Sequence, residues 1–160
     1  MRIPSLPKEA RRLCAVLHAP PELIEHLRLV HAASVRLTTR LTKAFPTVVF
    51  DEGAVLFGAA THDLGKVIHL AELFGPGNRH EVDGPSLLMS QGVPCRLARF
   101  AGTHGSWERN DMTLEDLLVA LADQAWREAY IDGLQERVAR AISTKVGIEP
   151  WEAFCVLAEL

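Results

Sequence analysis

The sequence predicts an all-α protein built as one helical bundle, and three observations predict it. Apolar residues recur at steps of four and three, as in Leu23, Leu27, Val30, Leu37 and Leu41, which is the spacing of one helix face. No segment alternates apolar and polar residues as a half-buried strand would. The chain has 160 residues, 48% of them hydrophobic and 23% charged, enough for one sizeable core. The expected organisation is a single domain over residues 1–160, its core in residues 21–130, with roughly six to eight helices.

The elements follow in order. Between Pro7 and Pro20, residues Lys8–His18 suit a short amphipathic helix to which no chemistry is assigned. Pro21 suits the first turn of the next helix, whose seam runs through Leu23, Leu27, Val30, Ser34, Leu37 and Leu41. His26 and His31 flank that seam on opposite sides, each about 80° from its centre at ~100° per residue. Either could be a ligand, and either could be a half-buried core histidine. Asp51 can cap the following helix, with Glu52 favoured in its first turn. Its run Ala54–Ala60 is apolar all the way round, as in a helix buried on every side. It delivers His62 and Asp63 into the interior, where imidazoles and carboxylates are costly unless paired or bound to a metal. Gly65 offers a helix end, and Lys66 places a cation just past it.

His69 and Glu72 continue in a short helical stretch before Gly75-Pro76-Gly77-Asn78 breaks the chain. Residues Arg79–Gln91 form the next predicted helix, with Val82, Leu87 and Leu88 inward and His80 near its start. His80-Glu81 resembles the opening of HExxH, but Gly84 stands at the second histidine, so that zinc-protease site is excluded. Pro94 opens a helix through Leu97, Ala98 and Ala101 that ends at His104, a plausible ligand and equally a dipole-favoured C-terminal histidine. Thr113 and Asp116 make a variant capping box for a helix over Leu114–Trp126. Asp123 interrupts its apolar run, flanked by Val119 and Trp126 at helical spacing. It also shares a stripe with Asp116 and Arg127, so spacing leaves it equally a surface residue paired at i+4. Residues 131–145 continue as an amphipathic helix with Leu134 and Val138 inward, and Pro150 starts a last helix ending in Cys155-Val156-Leu157.

Composition removes several function classes. A net charge of −3 lacks the basic face of a general nucleic-acid or membrane-surface binder. No apolar run approaches the ~20 residues of a membrane span, and the N-terminus carries no apolar leader. Cys14, Cys95 and Cys155 form no CxxC pair, which suits a reducing cytoplasm. Phosphate-loop, GxGxxG and GxSxG patterns are absent. The polar residues at buried-looking positions are His31, His62, Asp63, His80, His104 and Asp123. This set of imidazoles and carboxylates, without thiolates, suits Mn, Fe, Co, Ni or Zn better than calcium.

His31, the run His62-Asp63-Leu64-Gly65-Lys66 and Asp123 together resemble the HD superfamily of metal-dependent phosphohydrolases, over about residues 21–126. The separation from His62 favours His31 over His26 in that pattern. The resemblance implies an HD-type helical bundle with a metal site at its centre. It implies a first metal on His31, His62, Asp63 and Asp123, and a second on His80 and His104 with Asp63 bridging. One or two divalent ions are implied, Mn, Fe, Co, Ni or Zn, with Mg admissible. The implied reaction is hydrolysis of a phosphoester or phosphoanhydride, in a nucleotide or other small phosphorylated molecule, by metal-activated hydroxide. Asp63 and Lys66 are the catalytic candidates, and Lys66 is also the substrate-binding candidate, its plain alternative being a lysine that caps helix-end carbonyls. Glu72, Glu81 and Asp83 are candidate partners for ligand histidines, or else solvated acids. Arg99, Trp107 and Arg109 lie near His104 as candidate pocket rim or ordinary surface. The expected setting is cytoplasmic, with no membrane partner, and a homo-oligomer is compatible with the sequence. A di-iron oxygenase of the same fold and a catalytically silent regulatory module are the alternatives.

Overall fold

The computed structural model describes residues 4–125 and 133–158, and every regular element among them is helical. Helix α1 spans Lys8–Val16, α2 Pro21–Ala44, α3 Glu52–Ala59, α4 Arg79–Ser90, α5 Cys95–Ala98, α6 Phe100–Thr103, α7 Leu114–Ala125, α8 Leu134–Val146 and α9 Pro150–Ala158. Two single-turn 3-10 segments, Leu64–Val67 and Leu70–Leu73, lie between α3 and α4. The all-α architecture expected from the periodicity is therefore the one observed.

Local chemistry sets most boundaries. Pro21 occupies the first turn of α2, where its missing N–H costs nothing. The Asp51 carboxylate accepts the Ala54 N–H at 2.9 Å and caps α3. At the start of α7, Thr113 N–H donates to Asp116 Oδ2 at 3.1 Å and Asp116 N–H donates to Thr113 Oγ1 at 3.3 Å. That is the reciprocal capping box the sequence predicts.

Three expectations need correction. The central helix ends at Ala59 rather than running to Gly65, because the chain tightens into turns there. His62 N–H still reaches Gly58 O at 2.8 Å, but Leu64 N–H turns back to Thr61 O and Lys66 N–H to Asp63 O. His62 and Asp63 therefore sit in a turn, not on a helix. The helix opened by Pro94 breaks at Arg99 into α5 and α6, with His104 as the residue after α6. Val82 is 73% exposed. The buried stripe of α4 runs His80, Gly84, Leu88, and Val82 lies about 200° from His80 at ~100° per residue. Trp126 and Arg127, expected beside Asp123, lie outside the described residues.

The buried side chains form two clusters. One joins Val30, Leu37 and Leu41 of α2 with Val55 and Ala59 of α3, Phe100 of α6, Leu118 and Val119 of α7, and Leu134, Val138 and Ile142 of α8. The other joins Leu13 of α1 with Leu23 and Leu27 of α2, Ala60, Leu64, Leu88 and Ala101. Each fully buried leucine, valine or phenylalanine contributes about 1.5–3 kcal/mol of burial free energy. The chain crosses from one cluster to the other between Ala59 and Ala60. His62 and Asp63 follow at once, so the candidate site is anchored where both cores meet.

Candidate metal centre

Three separate segments bring His26, His62 and Asp123 together. Their ligand atoms all lie within 4.8 Å of one another, and a second such group is His62, Asp63 and His104. Both His62 and Asp63 are essentially buried, at 0% and 2% exposure, and Asp123 is 6% exposed. Asp123 is thus an interior residue, which resolves the ambiguity its spacing left.

The rings are aimed. His62 Nδ1 lies 3.1 Å from Ala59 O, and His104 Nδ1 lies 3.1 Å from Phe100 O. A carbonyl only accepts, so each Nδ1 carries a proton and each ring turns its Nε2 toward the centre. His80 Nδ1 lies 2.6 Å from Glu72 Oε2, which orients that ring in the same sense. Glu72 also accepts the backbone N–H groups of Arg79 and His80, each at 3.1 Å. Burial alone would raise the Glu72 carboxyl, but the hydrogen bonds from the His80 ring and these amides outweigh it and hold the pKa at about 2. Glu72 is therefore an orienting partner of the His80 ring. Asp83 is not, for it pairs with His69 Nε2 at 2.7 Å.

The separations test whether these donors fit an ion. His26 Nε2 lies 3.3 Å from His62 Nε2, 3.1 Å from Asp63 Oδ2 and 3.4 Å from Asp123 Oδ1. His62 Nε2 lies 3.6 Å from Asp63 Oδ2 and 3.4 Å from Asp123 Oδ1. Adjacent donors at 2.0–2.2 Å from one ion stand about 2.8–3.6 Å apart in octahedral or tetrahedral arrangements. The set fits. Asp123 Oδ1 is buried and makes no hydrogen bond; its nearest polar neighbours are the His26 and His62 rings at 3.4 Å, and an ion held among them would satisfy it.

Asp63 faces two donor sets at once. Its Oδ2 is turned to His26 and His62, while its Oδ1 lies 3.1 Å from His80 Nε2 and 3.3 Å from His104 Nε2. One carboxylate with an oxygen toward each pair of imidazoles is the disposition of a bridging ligand. Burial would raise the Asp63 carboxyl, yet His62, His104, His26 and His80 around it hold it well below the usual carboxylate range. Asp123 is likewise lowered against its burial by His26 and His62. Burial lowers His62 despite both carboxylates. In His26 and His80 burial pulls the same way, but neighbouring carboxylates prevail and raise them.

His31 is the misplaced expectation. It appears in none of the three ligand groups among the described residues, and His26 stands where His31 was expected. The two are five positions apart on α2, or about 140° around the helix at ~100° per residue. They cannot face one point. His31 is a buried core histidine, 5% exposed, with Nδ1 unbonded, and burial lowers its pKa. The signal available in the sequence was only that both histidines flank the seam; the side on which α3 and α7 pack decides between them.

Gly65 explains the Gly-Lys that follows His62-Asp63. A Cβ there would lie 2.2 Å from His80 O, so glycine lets the turn after Asp63 press against the start of α4. That contact brings His80 to Asp63. Lys66, one residue on, donates to Asp63 Oδ2 at 2.6 Å.

These groups border an open cavity of about 630 Å³ lined by Asp63, Lys66, Glu72, His80, Glu81, His104 and Asp123, with Phe74–Gly77 along one side. Lys66 is the one lysine or arginine among the described lining residues. Arg99, Trp107 and Arg109 are not part of that lining. Arg99 pairs with Asp116 and Arg109 with Asp111.

A helical fold with histidines and aspartates converging at its interior defines a metal-binding α-helical domain. The chain belongs to the HD domain family, whose pattern matches residues 23–125. No curated protein and no solved structure shows significant similarity to it.

Proposed function

We propose that this protein is a metal-dependent phosphohydrolase that cleaves a phosphoester or phosphoanhydride bond in a small phosphorylated molecule such as a nucleotide. The observation that carries this reading is the split of the Asp63 carboxylate between His26 with His62 and His80 with His104. Family membership supports the same class. His26, His62, Asp63 and Asp123 would hold one divalent ion, and Asp63, His80 and His104 a second. Bound there, such ions would acidify water and draw charge from a phosphoryl oxygen.

The chain's own residues do the rest. Asp63 offers one oxygen to each position and keeps the two at fixed spacing. Glu72 holds the His80 Nδ1 proton and keeps Nε2 turned inward. Lys66 Nζ reaches the cavity beside Asp63 and supplies positive charge to a phosphoryl oxygen as charge builds up there. The cavity otherwise presents four carboxylates, Asp63, Glu72, Glu81 and Asp123. An anionic substrate would be repelled from them unless cations were bound. Its volume suits a small molecule.

The test is turnover. Purified protein supplied with Mn²⁺, Co²⁺ or Fe²⁺ is expected to release phosphate or nucleotide from a panel of nucleotides and other small phosphoesters, and EDTA is expected to stop it. Metal-loaded protein inert on the whole panel would overturn the proposal.

A further inference from the structure

The second donor set has a neighbour that the bridging arrangement leaves unused. Glu81 follows His80 in the first turn of α4, and its carboxylate joins His80 and His104 in a group whose ligand atoms lie within 4.8 Å of one another. Glu81 Oε1 stands 4.0 Å from His80 Nε2, and the side chain is 20% exposed. Among the described residues no lysine or arginine pairs with it. Two neighbouring acids, by contrast, are engaged by the protein: Glu72 by His80 and two amides, Asp116 by Arg99, Thr103 and Thr113. Among the described residues this partly buried carboxylate faces two imidazoles and no lysine or arginine, a setting that a bound cation would favour.

Its position is also built. Gly105 directly follows His104, and a Cβ at that position would lie 2.3 Å from Glu81 Oε1. The missing side chain is what admits the carboxylate to the cavity beside the two rings. The 4.0 Å separation from His80 is that of donors on opposite sides of one ion, about 4.0–4.4 Å for bonds of 2.0–2.2 Å.

We infer that Glu81 is a direct protein ligand of the second divalent cation, beside Asp63 Oδ1, His80 Nε2 and His104 Nε2. The inference rests on the two-ion reading above. With Glu81 counted, each position has two imidazoles, one carboxylate of its own (Asp123 or Glu81) and one oxygen of the shared Asp63. Without it the second position has no carboxylate to itself. Mixed imidazole–carboxylate positions of this kind suit Mn²⁺ or Fe²⁺.

The experiment is a Mn²⁺ titration of the full chain by calorimetry and equilibrium dialysis, with electron paramagnetic resonance to detect coupling between paired ions. The wild type is expected to take two Mn²⁺ per chain and show a coupled signal. Glu81→Gln is expected to keep one Mn²⁺, bind the second at least about 10- to 100-fold more weakly, and lose the coupled signal at the same Mn²⁺ concentration. Gly105→Ala, which displaces the carboxylate without removing it, is expected to do the same, and to add nothing to Glu81→Gln. Melting in EDTA confirms that each variant folds, and Glu81→Asp serves if Glu81→Gln does not. Glu81→Gln binding two Mn²⁺ as tightly as the wild type would overturn the inference, as would a wild type that takes fewer than two. A wild type that behaves as expected here but hydrolyses nothing would refute the phosphohydrolase reading alone.

Discussion

Lys66 Nζ lies 2.6 Å from Asp63 Oδ2, the same oxygen that stands 3.1 Å from His26 Nε2. A lysine and an ion would therefore compete for one carboxylate oxygen. Lys66→Met removes the competitor and the cavity's only lysine or arginine among the described residues. Affinity for the first divalent ion is expected to hold or rise, while kcat falls by about 10²–10³, the usual cost of removing one group that stabilises transition-state charge. Metal titration and steady-state kinetics check both halves. An unchanged kcat would leave Lys66 as a structural partner of Asp63.

His26 and His31 separate by opposite outcomes. His26→Ala removes a donor that lies 3.1–3.4 Å from three others and is expected to empty the first position at micromolar metal. His31→Leu replaces a buried ring whose Nδ1 is unbonded, so its metal content is expected to equal the wild type's. Its stability should change by no more than about 1 kcal/mol, since loss of an unsatisfied polar atom offsets imperfect packing. Elemental analysis of both purified variants decides. Metal loss in His31→Leu with normal folding would restore the ligand assignment predicted from spacing.

Asp63→Asn keeps the shape of the bridge and removes its charge. One of its two oxygens becomes an NH2 group and the other loses its charge, so metal content is expected to fall at both positions. Activity is expected to drop by at least about 10³, equivalent to ~4 kcal/mol of transition-state stabilisation. A variant that retained two ions per chain would show that Asp63 does not bridge.

Asp116 gives a pH prediction away from the metal donors. Its Oδ1 accepts Arg99 Nε at 3.0 Å and Thr103 Oγ1 at 2.9 Å, and its Oδ2 accepts Thr113 Oγ1 at 2.8 Å. Burial would raise its pKa, but the hydrogen bonds from Thr113, Arg99 and Thr103 lower it. A carboxyl lowered in the folded state stabilises it at every pH above the unfolded value of about 3.9. That stabilisation is lost as pH falls through the lower, folded value. Asp116→Asn is therefore expected to cost about 1.5–3 kcal/mol at pH 7, and the gap to wild type should narrow below about pH 4. Urea unfolding at pH 7 and pH 3 measures it. A gap independent of pH would mean that the charge of Asp116 contributes nothing.

The sequence determined more of the frame than of the site. Period, capping boxes and punctuation were legible because they depend on neighbours within a turn or two: Asp51 with Ala54, Thr113 with Asp116, Pro21 at a first turn. His62-Asp63 was legible because an all-apolar helix leads straight into it. Tertiary packing decided the rest. Whether Asp123 faces solvent or the interior depends on the other helices beside α7, and its own stripe admits both. The choice of His26 over His31 depends on which side of α2 receives the turn after α3. Glu81 was legible only as one of three acids that could partner a ligand histidine, because its place in the cavity depends on the absence of a side chain at Gly105, twenty-four positions along the chain. Local patterns follow from hydrogen bonds and side-chain spacing along one helix. A donor set drawn from several segments exists only once those segments are packed.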